Sequence, residues 1–182
     1  MDNIEVTPDT AQVAKVVPDT NSLLKITPGR DCGECQACCF APRLDELEKP
    51  SFTSCKNQGQ GECTDYENRP TPCRDYNCMW RLGYGAKDDR PDKTGLMLTA
   101  RMHANLGPWV SAHVVDEKAR KSRSAQSALV NLCQTAVVIE FLPDSMVMVG
   151  GPANRVKAFR VLSEAEGVPI HEDLVQIRRP TK

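Results

Sequence analysis

A chain of 182 residues and 20.1 kDa, 40% hydrophobic but only 5% aromatic, has material for one modest core built on Val, Leu, Ala and Met, and excludes two full-sized domains. Its net charge of −1 conceals segments of −1 (residues 1–30), −4 (31–80) and +4 (81–182), and the acidic middle segment has the wrong sign for neutralising nucleic-acid phosphates. No run of about 18 apolar residues is present to span a membrane, and MDNIEVTPDTAQVAKVV lacks the basic and apolar regions of an export signal, so the expected compartment is the reducing cytosol.

The units VTPDTAQVAK, VVPDTNSLLK and ITPGRD place Pro8, Pro18 and Pro28 ten residues apart, each with an aliphatic residue two places earlier. This pattern favours extended or polyproline conformation, so residues 1–30 are expected to form a flexible arm. The alternative is an arm that adds an edge strand to the C-terminal part or to a partner. Residues 31–80 read as loops punctuated by Gly33, Gly59, Gly61, Pro70 and Pro72, with one short helical stretch at Leu44 to Glu48. No apolar period there is long enough to make a core, so something other than hydrophobic burial must order the segment. Residues 81–95 read as a charged surface connection that completes a cysteine module over 31–95.

Periodic structure begins at Leu96. Leu96 to Ala100 and Trp109 to Val115 are expected as strands, with the turn around Asn105, Gly107 and Pro108. From Glu117 to Thr135 the spacing predicts one helix, with Ala125, Leu129, Leu132, Cys133 and Ala136 on its apolar face. A hairpin of 136–141 and 146–149 should turn at Pro143, Asp144 and Ser145. A last helix should open at Asn154 and run to about Glu166, with Val156, Phe159 and Leu162 inward and Gly167 as its stop. The expected fold is α+β: a metal-stapled, irregular cysteine module followed, over 96–182, by a small ββαββα domain with helices on one face of an antiparallel sheet.

Eight of the nine cysteines fall within 47 residues, a density that points to metal in a reducing compartment, with a disulfide framework as the alternative. Cys32, Cys35 and Cys38 form a C-x2-C-x2-C run in which each two-residue spacer lets the backbone turn and successive sulfurs converge, as in zinc knuckles and ferredoxin-type clusters. Cys39 follows directly. Neighbouring side chains diverge, so Cys38 and Cys39 should serve different centres unless one of them does not ligate. Cys55, Cys63, Cys73 and Cys78 could complete two four-thiolate sites, or Cys73 or Cys78 could supply the fourth ligand of one 4Fe-4S cluster. The expected cofactor is therefore an iron-sulfur cluster or zinc.

The stretches CGECQACCF, CTDYENRPTPCRDYNCMW and RPDKTG resemble the bacterial YkgJ-like cysteine-cluster proteins, a family described as a zinc- or iron-chelating domain with a CxxCxxCC signature. The resemblance covers about Asp31 to Gly95 and includes an R-P-x-x-C-R-x-Y-x-C-x-W pattern at Arg69 to Trp80. It implies that Cys32, Cys35, Cys38, Cys39, Cys55, Cys63, Cys73 and Cys78 are the metal-binding set. Flagellin lysine methylases are similar in their cysteine motif, which implies a second reading: an enzyme or enzyme subunit that uses the cluster in protein modification. The leading expectation is a metal-binding interaction or electron-transfer accessory with an unidentified protein partner and no membrane.

Other residues carry weaker signals. Arg69 and Arg74 flank Cys73 and could donate to its sulfur. Tyr66, Tyr76 and Trp80 are expected to cover the site, and Cys133 to pack as a small hydrophobe outside it. His103, His113 and His171 are scattered and read as surface or half-buried. Gly83 and Gly85 follow no strand and open no helix, so no nucleotide loop is read there, which counts against a self-contained methyltransferase. Lys118, Arg120, Lys121 and Arg123 read as a solvated basic face.

Overall fold

In a computed structural model, residues 25–103 and 107–165 are described. The Pro8 and Pro18 units, His171 and the Gly167 stop lie outside them. Within the cysteine segment, regular structure is limited to short turns: helix α1 (Ala37–Phe40), a 3-10 turn (Asp45–Leu47) and helix α2 (Thr71–Asp75). Helix α3 (Pro91–Thr94) closes the connection to the sheet. Prolines in the first turns of α2 and α3 fit because an N-terminal helical N–H has no partner to lose. Gly95 ends α3 at φ 71°, where a Cβ would collide with the backbone of Asp116 and Arg120, so only glycine fits.

Strand β1 (Leu96–His103) pairs antiparallel with β2 (Gly107–Val114). Both run longer than their apolar content predicts, because Gly107 and Pro108 belong to the ladder rather than to the turn. The expected single helix is two: α4 (Glu117–Arg120), capped by Asp116 Oδ1, and α5 (Arg123–Cys133), restarted by Ser122, whose side chain accepts the Ala125 N–H. These helices carry the chain back across the sheet, so β3 (Val137–Phe141) enters parallel to β2. The antiparallel-sheet expectation is thereby corrected: the four strands lie in sequence order, but the central pair is parallel. Strand β4 (Met146–Gly150) closes the predicted hairpin, with the Leu142 N–H on Ser145 O at 2.9 Å, and helix α6 (Ala153–Ala165) follows.

Side-chain alternation divides the sheet into two faces. Leu96, Leu98, Val110, Ala112, Val114, Val138 and Val149 meet Ala125, Leu129 and Leu132 of α5. On the other face Val137, Ile139 and Met148 take Val156 and Phe159 of α6, while Met97 takes Ala37, Ala41, Cys78 and Trp80. Helices therefore cover both faces, not one, and Leu162 is only half-buried. The cysteine segment also has an apolar anchorage, supplied by the sheet rather than by a period of its own.

The predicted basic face needs a second correction. Arg120 turns inward and pairs with Glu140 of β3 through Nε–Oε1 at 2.7 Å and a second, shorter Nη2–Oε2 contact. Glu140 is 0% exposed, so this ion pair sits inside the α5 face. Residues 81–95 are likewise more than a surface connection: Pro91 and Thr94 are buried, and the Trp80 indole N–H donates to Ala86 O and Lys87 O.

Candidate metal centre

Cys32 to Cys35 form a turn closed by the Cys35 N–H on Cys32 O at 2.9 Å, with Gly33 at φ 51°. Helix α1 begins two residues later and carries Cys38 and Cys39. Consecutive helical residues project about 100° apart, which sends these two thiols to different sides. Backbone amides reach the first sulfurs. The Ala37 and Asp92 N–H groups donate to the Cys35 thiol, and those of Arg81 and Trp80 to the Cys78 thiol. Cys78 is fixed against the sheet because the adjacent Met79 N–H donates to Leu98 O of β1 at 2.9 Å. From the other side Arg90, paired with Asp92, donates to Cys32 O at 3.1 Å.

The remaining thiols gather on the far side of α1. Cys39 O accepts the Cys55 N–H at 3.1 Å, and an antiparallel bridge joins Gln58 to Cys63. The Gln36 side chain clamps that small hairpin by donating to Gly59 O and Glu62 O, while its own oxygen accepts from Gln58. Cys73 arrives on α2.

Electrostatic neighbours link the thiols into two groups that touch through Cys38 and Cys39. Cys38 feels Cys32 and Cys35, Cys35 feels Cys78, and Cys78 feels Cys32. Cys73 instead feels Cys39, Cys55 and Cys63. The first set is thus Cys32, Cys35, Cys38 and Cys78, and the second Cys39, Cys55, Cys63 and Cys73. They meet at the adjacent pair, where the Cys38 S–H donates to Cys39. That bond pushes the Cys38 thiol well up, and with Lys49 and Arg69 it brings Cys39 down to about 7 against the opposing effect of burial. Burial pushes Cys35 up to about 11 against its two amide donors, and it raises Cys73 and Cys78 as well.

The two sets differ in their counter-charges. Lys49, only 6% exposed, feels Cys55, Cys39, Cys38 and Cys73, and its Nζ donates to the carbonyls of Phe40 (2.9 Å), Pro42 and Pro50. Burial lowers its pKa. Arg69 also acts on Cys39 and Cys73 while it lies 3.4 Å over the Tyr66 ring. Near the first set, Arg81 acts on Cys78, and Arg90 is already paired with Asp92.

Several expectations change here. Arg74 hydrogen-bonds Thr71 and not a thiol, and Tyr66 is 63% exposed and covers nothing. Trp80 is buried and Tyr76 half-buried, with the Tyr76 hydroxyl 2.7 Å from Thr99 Oγ1. Of the two candidates for the fourth place beside the triple, Cys78 stands there and Cys73 does not. Cys133 is remote in kind, packed with the α5 face of the sheet. His113 is buried rather than superficial, and burial with the nearby Arg101 and Lys49 lowers it to about 4. Lys49 gave no sequence signal beyond being a lysine in a cysteine-rich segment. A lysine before a proline in a polar loop reads as solvated, and only the fold turns it inward.

All nine cysteines are free thiols, and among the described residues no group of three or more Cys, His, Asp or Glu is arranged so that it could hold a metal ion as it stands. No helix among the described residues is long and apolar enough to cross a membrane. No protein family matches the chain, and no curated protein or solved structure is significantly similar to it.

Proposed function

We propose that this is a metal-binding protein whose cysteine module carries two four-thiolate centres, one at Cys32, Cys35, Cys38 and Cys78 and one at Cys39, Cys55, Cys63 and Cys73. The observations that support the reading are geometric: the Cys35 N–H on Cys32 O and the packing of Cys35 with Cys78 over Met97 on one side, and the Cys55 N–H on Cys39 O on the other. The donor chemistry fits. Four thiolates suit either a tetrahedral zinc ion or a 4Fe-4S cluster. Amide donors on Cys35 and Cys78 stabilise charged sulfur, as do Lys49 and Arg69 beside the second set. Closing each set requires the sulfurs to draw in from where they stand. Metal is well placed to do this, because ligand assembly and folding are coupled in small thiolate sites. The CxxCxxCC resemblance supports the same reading, in which the module serves an interaction or electron-transfer role.

The test is elemental and acid-labile sulfide analysis of protein purified without oxygen, with its absorption spectrum. Iron with matching sulfide and a brown colour that bleaches on reduction identifies clusters, whereas zinc without sulfide in colourless protein identifies tetrahedral ions. Protein holding neither overturns the proposal.

A further inference from the structure

The sheet face that receives the cysteine module contains a polar patch that the module borders through Tyr76 and Phe52. Across the β1–β2 pair Thr99 lies opposite Ser111, and one step to either side come Met97 opposite His113 and Arg101 opposite Trp109. Alternation puts all six on one face, so four of them, Thr99, Arg101, Ser111 and His113, bring polar groups to a surface otherwise lined by Ile139, Phe141 and Trp109. Ser111 is 2% exposed and His113 9%, yet among the described residues Ser111 Oγ and His113 Nδ1 have no hydrogen-bond partner. Buried polar groups left unpaired are destabilising, so the arrangement calls for something that satisfies them.

The surrounding contacts define the chemistry. The His113 ring stacks on Phe141, with centroids 5.0 Å apart, and borders Phe52, which holds its plane fixed. Arg101 acts electrostatically on both His113 and Tyr76, and Lys49 acts on His113 from the module side. Lys49 already donates to three carbonyls, and Arg101 is the other cation that acts on the patch. The Tyr76 hydroxyl closes the opposite edge through Thr99. A buried hydroxyl, an imidazole that can carry its proton on Nδ1, and a guanidinium form a donor-rich, positively charged set, and the described strand residues of this face include no acidic one.

We propose that Ser111, His113 and Arg101 form a binding site for a small oxyanion, of the size of a carboxylate or inorganic phosphate, between the sheet and the cysteine module. Ser111 Oγ and His113 Nδ1 donate to it, and Arg101 supplies the charge and the forked donors that suit such oxygens. The site stands on the sheet and does not depend on which metal the thiols bind.

The experiment follows the imidazole resonances of His113 by NMR in the full-length, metal-replete protein during titration with sodium formate and with inorganic phosphate, against sodium chloride at matched ionic strength. Saturable shifts with either oxyanion but not with chloride are expected. They should weaken by about tenfold or more in Arg101→Met and in Ser111→Ala, as loss of a charge-assisted hydrogen bond implies. Ser111→Ala keeps the experiment decisive if Arg101→Met does not fold, because removing an unpaired buried hydroxyl does not destabilise the sheet. Shifts absent with both oxyanions, equal to those with chloride, or unchanged in Ser111→Ala would overturn the site and leave ordered water as the partner of these atoms.

Discussion

Residues 31–95 and residues 96–150 solve the same problem, ordering a chain, with different materials. The second region buries a continuous apolar set: Leu96, Leu98, Val110, Ala112, Val138 and Val149 against Leu129 and Leu132. Each such side chain contributes roughly 1.5–3 kcal/mol when fully buried. The first region contributes Ala37, Ala41, Cys78 and Trp80, and even these pack on Met97 of the neighbouring strand. It invests instead in eight thiols, a buried lysine and backbone hydrogen bonds that cross between loops. The comparison teaches that the module borrows its floor from the sheet and needs another source of cohesion for its roof, which is the place we give to metal.

Removing metal should break the comparison most severely. A thiolate-bound structural ion is worth on the order of 10 kcal/mol to a small module. A strong chelator should therefore expose residues 31–80 to protease while β1 to β4 stay resistant, as mapped by the masses of the fragments. Equal resistance with and without chelator would mean that the module stands on its contacts with Met97 and the connection alone.

Inside the sheet domain the largest single effect should come from the Arg120–Glu140 pair. Arg120→Met leaves a fully buried carboxylate unpaired and should cost about 3–5 kcal/mol in urea denaturation. Adding Glu140→Gln should recover much of that loss. The module should keep its metal throughout, since Glu140 faces α5 and not the thiols.

His113 links stability to pH where module and sheet meet. Its folded value of about 4 lies below the ordinary 6.5, so the fold favours the neutral ring. The group's contribution is complete above about pH 6.5 and is lost as pH falls toward 4, amounting to about 3 kcal/mol. Lys49 and Arg101 act on the ring in the same direction as burial. His113→Phe should flatten this part of the pH–stability curve relative to the parent, while the acid limb due to carboxylates and thiols remains in both. An unchanged slope would show that the ring takes up its proton without strain.

Cys133→Ala should produce the smallest change. Cys133 packs beside Leu129 and Leu132 and near Gly150, so the substitution should cost about 1 kcal/mol and leave metal content untouched. Loss of metal would move the boundary of the site to the opposite sheet face.

The sequence was most legible where periodicity meets burial. The hairpin at Pro143 to Ser145, the α5 stripe of Ala125, Leu129 and Leu132, and the inward Val156 and Phe159 were all readable from spacing. The parallel β2–β3 pair was not, because strand content does not encode which end of the sheet a crossover returns to. Ser122 ended one helix and capped the next within a basic run that masked it. For the thiols, adjacency gave the reading that Cys38 and Cys39 serve different centres, which metal content will decide. The choice of Cys78 over Cys73 beside the triple depends on the Met79 tie to β1, a long-range contact that no spacing contains. Lys49 escaped notice and His113 was read as surface or half-buried because each is polar in sequence and is enclosed only by the packing of module and sheet.

The division of the thiols into two sets is tested most directly by the metal content per chain of Cys32→Ala, Cys63→Ala and the double variant, measured beside the parent under oxygen-free conditions. Cys32 and Cys63 belong to different sets and are not adjacent in the chain. The account predicts that each single variant loses one of two centres and that the double variant loses both. Single variants that lose the same metal, with no further loss in the double variant, would contradict the two-centre arrangement.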